Sequence, residues 1–200
     1  MSQLLNIEMA QLLTPFAMSN SQVFDGESVT LLEMLQAREE RQELQRNIFL
    51  KAPQGTLLYI TMNIPGEIKN SKILKRVFEC ELNSLQRKFS KETILTRFVS
   101  NKTGNEAYIL LSINPVLLKK RLIKYEEESQ LGRLLDLDVH YKNKENIFQI
   151  SRTEIGYPPR KCFLCDNIAK ECGRSRSHSL DDIRLYISKK VLNYLEENSN

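Results

Sequence analysis

The segment Leu135-Asp136-Leu137-Asp138-Val139 alternates apolar and acidic residues. In an extended strand, residues i and i+2 share a face. Asp136 and Asp138 then project together, while Leu135, Leu137 and Val139 face a core. Two ionised carboxylates side by side repel and call for a cation. Mg²⁺ suits them, because it is hard, takes oxygen ligands, and binds through one or two carboxylates together with substrate phosphates. The plainer alternative is an edge strand with a solvated acidic face.

Bases and thiols gather downstream. Arg152, Arg160, Arg174 and Arg176 carry planar guanidinium forks that match phosphate oxygens. Cys162-x2-Cys165-x6-Cys172-x5-His178 has the ligand types and a workable spacing for tetrahedral Zn²⁺. Reduced thiols packed as small apolar groups beside a surface histidine account for the same residues. Structural zinc is therefore left open, and Mg²⁺ alone is the expected cofactor. His140, at a strand end, reads as structural.

These groups need elements to position them. Thr30-Leu31-Leu32-Glu33 is a capping box that opens a helix running to about Phe49, with Leu31, Met34, Leu35, Leu44 and Ile48 as its apolar side. Arg38 and Arg41 interrupt that side and are neighbours on the helix surface, where pairing with nearby glutamates explains them. Thr56–Met62 reads as a buried strand that empties into the turn Asn63-Ile64-Pro65-Gly66. A helix over Ile73–Phe89 follows, then strands Thr93–Ser100 and Ala107–Asn114 joined by a hairpin-like turn. Asn114-Pro115 starts a helix that ends in the polar run Glu126–Gln130. Strands Leu134–His140 and Ile147–Ile150 come next, and Ser179 caps a C-terminal helix. Helices and strands mix without strict alternation, which predicts one α+β domain around a mixed or antiparallel sheet. Residues 1–27 read as an arm or loosely attached element in which Leu4, Leu5, Leu12 and Leu13 line a short helix; the domain proper is 28–200.

Composition narrows the function. With 41% hydrophobic and 27% charged residues among 200, wholesale disorder is excluded. No run approaches a membrane span, and the first basic residue is Arg38, so no signal-peptide n-region is expected. The seven glycines form neither GxGxxG nor GxxxxGK[ST], which removes glycine-based phosphate cradles. Residues 1–37 hold four acids and no base, leaving 29 bases against 21 acids in the remainder, an excess of eight. Such a body suits a polyanionic ligand. Clustered cysteines without a disulfide framework fit a cytoplasmic protein.

The same residues carry a resemblance. Gly132-Arg133-Leu134-Leu135-Asp136-Leu137-Asp138-Val139, Ser151-Arg152, Pro159-Arg160-Lys161-Cys162 and the Cys162-x2-Cys165-x6-Cys172-x-Arg174-Ser175-Arg176-x-His178-Ser179 tail together resemble the holo-citrate lyase synthase signature. Arg38-Glu39-x-Arg41-Gln42 and Thr61-Met62-Asn63-Ile64-Pro65-Gly66 followed by Lys69 agree with it, and the likeness is collinear from about Val29 onward. The resemblance implies a nucleotidyltransferase that primes the acyl carrier (gamma) subunit of citrate lyase. A carrier serine attacks the ribose-proximal phosphorus of 2'-(5''-triphosphoribosyl)-3'-dephospho-CoA, and pyrophosphate leaves. Asp136 and Asp138 are then the metal-binding and catalytic pair, resembling that of nucleotidyltransferases, although Gly132 is followed here by Arg133 rather than Ser. Arg152 and Arg160 are expected on the triphosphate, with Arg174, Arg176, Arg38, Arg41, Asn63 and Lys69 as further substrate-binding candidates. The expected partners are the apo-carrier and the donor, with no nucleic acid and no membrane. The competing readings are the equivalent synthase for the malonate decarboxylase carrier and a zinc-stabilised, basic nucleic-acid-binding module. The latter leaves the aspartates without purpose.

Overall fold

Strand β1 (Thr56–Met62) has its first five residues buried, as a run of apolar and β-branched side chains requires of a central strand. In the computed structural model, which describes residues 20–198, β1 lies at the centre of a five-stranded sheet ordered β2-β3-β1-β4-β5. The other strands are β2 (Thr93–Asn101), β3 (Gly104–Leu111), β4 (Leu135–Asn143) and β5 (Asn146–Ile150). Every neighbouring pair is antiparallel, which resolves the expected mixed or antiparallel sheet to the second.

The helices are α1 (Asn20–Val23), α2 (Leu31–Lys51), α3 (Lys72–Lys88), α4 (Pro115–Glu128), α5 (Ala169–Ser175) and α6 (Leu180–Glu197), with a 3₁₀ turn at Gly132–Leu134. Their starts follow local chemistry. Thr30 and Glu33 close the anticipated capping box, Asn114 accepts from the amides of Val116 and Leu117 ahead of Pro115, and Ser179 accepts from the amide of Asp182.

Alternation along the strands divides the core between two sheet faces. On one face Leu58, Ile60, Ala107, Ile109, Leu135, Leu137 and Val139 pack against Phe78, Leu82 and Leu85 of α3 and Leu118 and Leu122 of α4. On the other, Leu57, Tyr59, Tyr108 and Leu110 meet Ile48 and Phe49 of α2. A further cluster joins α3 and α6 through Leu74, Val77, Ile187 and Val191.

Some expectations shift. Strand β3 starts at Gly104, not Ala107, because its polar first residues find partners: Asn105 bonds Ser100 at 2.7 Å and Asn70 at 2.7 Å. The C-terminal half of α2 packs on the sheet through Ile48 and Phe49, whereas in its first half Leu31 and Leu35 are exposed and Ala37 alone is buried. Within the expected arm, Val23 is fully buried and its carbonyl accepts from the Ser71 hydroxyl at 2.8 Å. The anticipated short helix over Leu4–Leu13 lies outside the described residues. Among those residues, no helix is long and apolar enough to cross a membrane.

Candidate active site

The two aspartates stand on the sheet face away from α3 and α4. Register sets Asp136 opposite Thr61 and Asp138 opposite Tyr59, with Glu106 and Tyr108 on the far side of β1. Strand β5 pairs with β4 only from Val139 onward, so the edge of β4 beside Leu135–Asp138 is left to other partners. Cations take it. Lys119 of α4, itself buried, donates from Nζ to the Leu137 carbonyl at 2.8 Å. Arg160 donates from Nη1 to Asp136 Oδ1 at 2.7 Å and from Nη2 to Glu126 Oε2 at 2.8 Å, so one fork ties the aspartate face to the end of α4.

Glu126 is the anchor of the arginines. It is buried, and its second oxygen lies 3.5 Å from Arg152 Nη1, whose other nitrogen is 3.4 Å from Glu127. Those longer contacts are weak beside the Arg160 pair. Gly132 makes the arrangement possible: a Cβ there would stand 2.6 Å from the Glu126 carbonyl oxygen.

Electrostatics mark this strand. Burial raises the carboxyl of Asp136 above its ordinary value, the charge of Asp138 adds to the rise, and Arg160 opposes it. Burial lowers the ammonium of Lys119, with Asp138 opposing. Asp138 forms no ion pair or side-chain hydrogen bond with any described residue. His140 lies mid-strand, not at its end; burial lowers its imidazole, and Nε2 is buried without a hydrogen-bond partner.

Two clefts meet here. One, of about 170 Å³, is lined by Arg41, Thr61, Asn63, Lys69 and Asp136. The other, of about 200 Å³, is lined by Asn63, Arg133, Arg160, Cys162, Phe163 and His178. Asn63 belongs to both, held by a hydrogen bond that its backbone N–H donates to the Leu134 carbonyl at 2.7 Å. The turn it opens needs Gly66, whose φ of 83° is left-handed. Lys69 folds back to donate to the Ile64 carbonyl at 2.6 Å. Arg41 does not pair along its own helix. It reaches Glu106 Oε1 at 2.6 Å, while Tyr108 donates to Oε2 at 2.7 Å.

Asp136, Asp138, Arg160, Asn63, Lys69 and Arg41 are thus brought to one region. Arg152 joins it only through Glu126. Arg38, Arg174 and Arg176 are exposed and line neither cleft. Cys162, Cys165, Cys172 and His178 converge at the wall of the second cleft. The sequence reading missed Glu126 and Lys119, but signals for both exist. They stand seven apart on the buried stripe of Leu118, Lys119, Leu122, Ile123 and Glu126. In addition, an acid in the last turn of a helix opposes the macrodipole and wants a cation.

Comparison with known proteins supplies independent findings. The family described as apo-citrate lyase phosphoribosyl-dephospho-CoA transferase matches residues 29–194. A relative from Streptococcus pyogenes serotype M5, named as a probable apo-citrate lyase phosphoribosyl-dephospho-CoA transferase, is 38% identical over 91% of this chain and 95% of its own. One of the same name from Vibrio cholerae serotype O1 is 31% identical over 82% of this chain and 92% of its own. Protein CitXG of Leuconostoc mesenteroides subsp. cremoris is 36% identical over 84% of this chain, which spans 36% of that longer protein.

Proposed function

The chain belongs to the apo-citrate lyase phosphoribosyl-dephospho-CoA transferase family, and from that premise we propose the chemistry of its site. It transfers the phosphoribosyl-dephospho-CoA group to the apo-acyl carrier subunit of citrate lyase. The donor in this reading is triphosphoribosyl-dephospho-CoA. The carrier serine oxygen attacks the ribose-proximal phosphorus, a phosphodiester forms, the bond to pyrophosphate breaks, and the serine proton passes to a carboxylate of the aspartate pair or to water. The observation that carries this reading is the Asp136–Asp138 face with Arg160 forked across its edge.

The residues fit Mg²⁺. Two carboxylates share a face, burial and the neighbouring charge of Asp138 disfavour the ionised form of Asp136, and Asp138 and one oxygen of Asp136 are free to ligate. When bound, the ion supplies charge neutralisation at the triphosphate and the departing pyrophosphate. The protein's own residues do the positioning, which is most of what phosphoryl transfer requires. Arg160 offers its fork to phosphate oxygens in exchange for Asp136. Arg41 and Lys69, engaged by Glu106 and the Ile64 carbonyl, contribute positive field to the cleft, and Asn63 lines the passage between the two clefts. Arg152 supports Arg160 through their shared glutamate. A nucleic-acid-binding module would leave the aspartate pair without a role, which favours the transfer reaction. Four free thiols among the described residues accord with a cytoplasmic location.

Purified protein, donor, Mg²⁺ and apo-carrier are incubated and the carrier is weighed intact. The expected result is a gain of one phosphoribosyl-dephospho-CoA group on the citrate lyase carrier. Exclusive modification of a malonate decarboxylase carrier would overturn the partner, and no modification of either would overturn the reaction.

A further inference from the structure

Residues 151–179 leave the sheet after β5 and return at the N-cap of α6. Within this excursion Cys162 and Cys172 are the buried residues, and every other residue is exposed or intermediate. So little buried apolar surface cannot hold a segment of that length in one conformation, and short, core-poor segments ordinarily depend on a disulfide or a metal. The four described cysteines are free thiols.

The local chain converges on one point. The amide of Ala169 donates to the Arg160 carbonyl at 2.9 Å and that of Cys162 to the Asn167 carbonyl at 2.8 Å, closing a small hairpin whose tip holds Cys162 and Cys165. Helix α5 presents Cys172, and His178 stands just before the cap of α6. The ligand atoms of these four residues all lie within 4.8 Å of one another. Cys165 Sγ is 3.5 Å from Cys172 Sγ and 3.3 Å from His178 Nε2. A tetrahedral zinc with Zn–S of about 2.3 Å and Zn–N of about 2.0–2.1 Å sets its ligands about 3.8 Å (S to S) and about 3.6 Å (S to N) apart. The observed spacing matches with small adjustments.

We propose that Cys162, Cys165, Cys172 and His178 bind one Zn²⁺ in a closed tetrahedral site that fixes the hairpin carrying Arg160. Four protein ligands leave no open coordination position, so the ion is structural and takes no part in transfer. Its effect reaches the cleft through the backbone. Arg160 lies two residues before Cys162, and Arg133 donates to the Cys162 carbonyl at 2.8 Å. The inference stands on the cluster itself, whatever the carrier or donor proves to be.

The test uses the full chain purified without added metal. Elemental analysis is expected to give about one zinc per chain. Metal-depleted protein titrated with Co²⁺ is expected to show the intense visible bands of a tetrahedral thiolate site, bleached on adding Zn²⁺. Depletion is expected to speed proteolysis within 151–179 by about tenfold or more, leaving the sheet domain intact. Cys165→Ser is expected to lose the cobalt bands, although the wild-type titration alone decides the matter should that variant misfold. Protein that holds no zinc, gives only octahedral cobalt spectra, and is cleaved equally with and without chelator would overturn the site and leave packed thiols.

Discussion

Arg160 Nη2 lies 2.8 Å from Oε2 of Glu126, a carboxylate buried at the last turn of α4. Because the remaining nitrogen of the fork meets Asp136, the position of Arg160 is set jointly by the helix and by the strand that carries the aspartates. Disrupting a buried pair by removing one partner costs about 3–5 kcal/mol, chiefly through the charge left behind.

Glu126→Gln is therefore expected to release Arg160 and Arg152 together. Glu126 is a positioning residue, so the donor KM should rise by about tenfold or more while the carrier KM stays near wild type. Steady-state titration of each substrate separates the two. Equal rises in both, or none, would count against the anchoring role.

Gly132→Ala places a Cβ 2.6 Å from the Glu126 carbonyl oxygen and 2.7 Å from its Cα, neither of which is the end of a flexible chain. Overpacking of this kind costs about 1–3 kcal/mol. Gly173→Ala serves as the control, because a Cβ there meets nothing within 4 Å and the residue sits in helix α5. That change is expected to be neutral or stabilising by about 0.5–1 kcal/mol. Thermal melts of both variants, with donor titrations, check the contrast.

Arg160→Lys and Arg152→Lys are expected to differ. The first replaces a fork with contacts at 2.7 and 2.8 Å by a point charge, while the second disturbs contacts of 3.4 and 3.5 Å. Loss of one charge-assisted bond costs about 1.5–3 kcal/mol, or roughly ten- to a hundredfold in donor affinity, for Arg160. Arg152→Lys should cost less. Superimposable donor titrations for wild type and Arg160→Lys would count against its phosphate role.

Much of the fold was legible because its signals are local. Capping at Thr30, Asn114 and Ser179, the alternation through Asp136 and Asp138, and the Asn63–Gly66 turn each depend on neighbours in the chain. What stayed hidden depends on partners far away. Arg41 looked like a surface residue of its own helix, yet it pairs with Glu106 across 65 positions. Glu126 looked like a solvated helix end and is instead a buried anchor. Arg152 and Arg160 looked alike as the expected triphosphate ligands. Only the short reach of β5, which leaves the edge of β4 open beside Asp136, distinguishes Arg160 from Arg152.

The acid side of the pH response follows from Asp136. Burial raises its folded titration above the unfolded one. The folded state therefore holds the proton more tightly: its stabilising effect is complete below the unfolded value and is lost as pH rises through the folded value. A cation at the pair offsets that loss. Mg²⁺ should raise the melting temperature near neutral pH, by an amount that shrinks as pH falls through the raised titration of Asp136. Asp136→Asn should show little Mg²⁺-dependent shift, and an undiminished shift would count against this metal position.

The central claim, that Asp136 and Asp138 form the metal-holding pair of the transfer reaction, is tested most directly by single-residue replacement. Initial rates of carrier modification are read by intact mass for wild type, Asp136→Asn and Asp138→Asn at saturating Mg²⁺, with circular dichroism confirming that each variant is folded. Each replacement is expected to lower the rate by about a hundredfold or more, the scale at which lost electrostatic stabilisation of a transition state registers. Turnover like that of wild type in either folded variant would contradict the account.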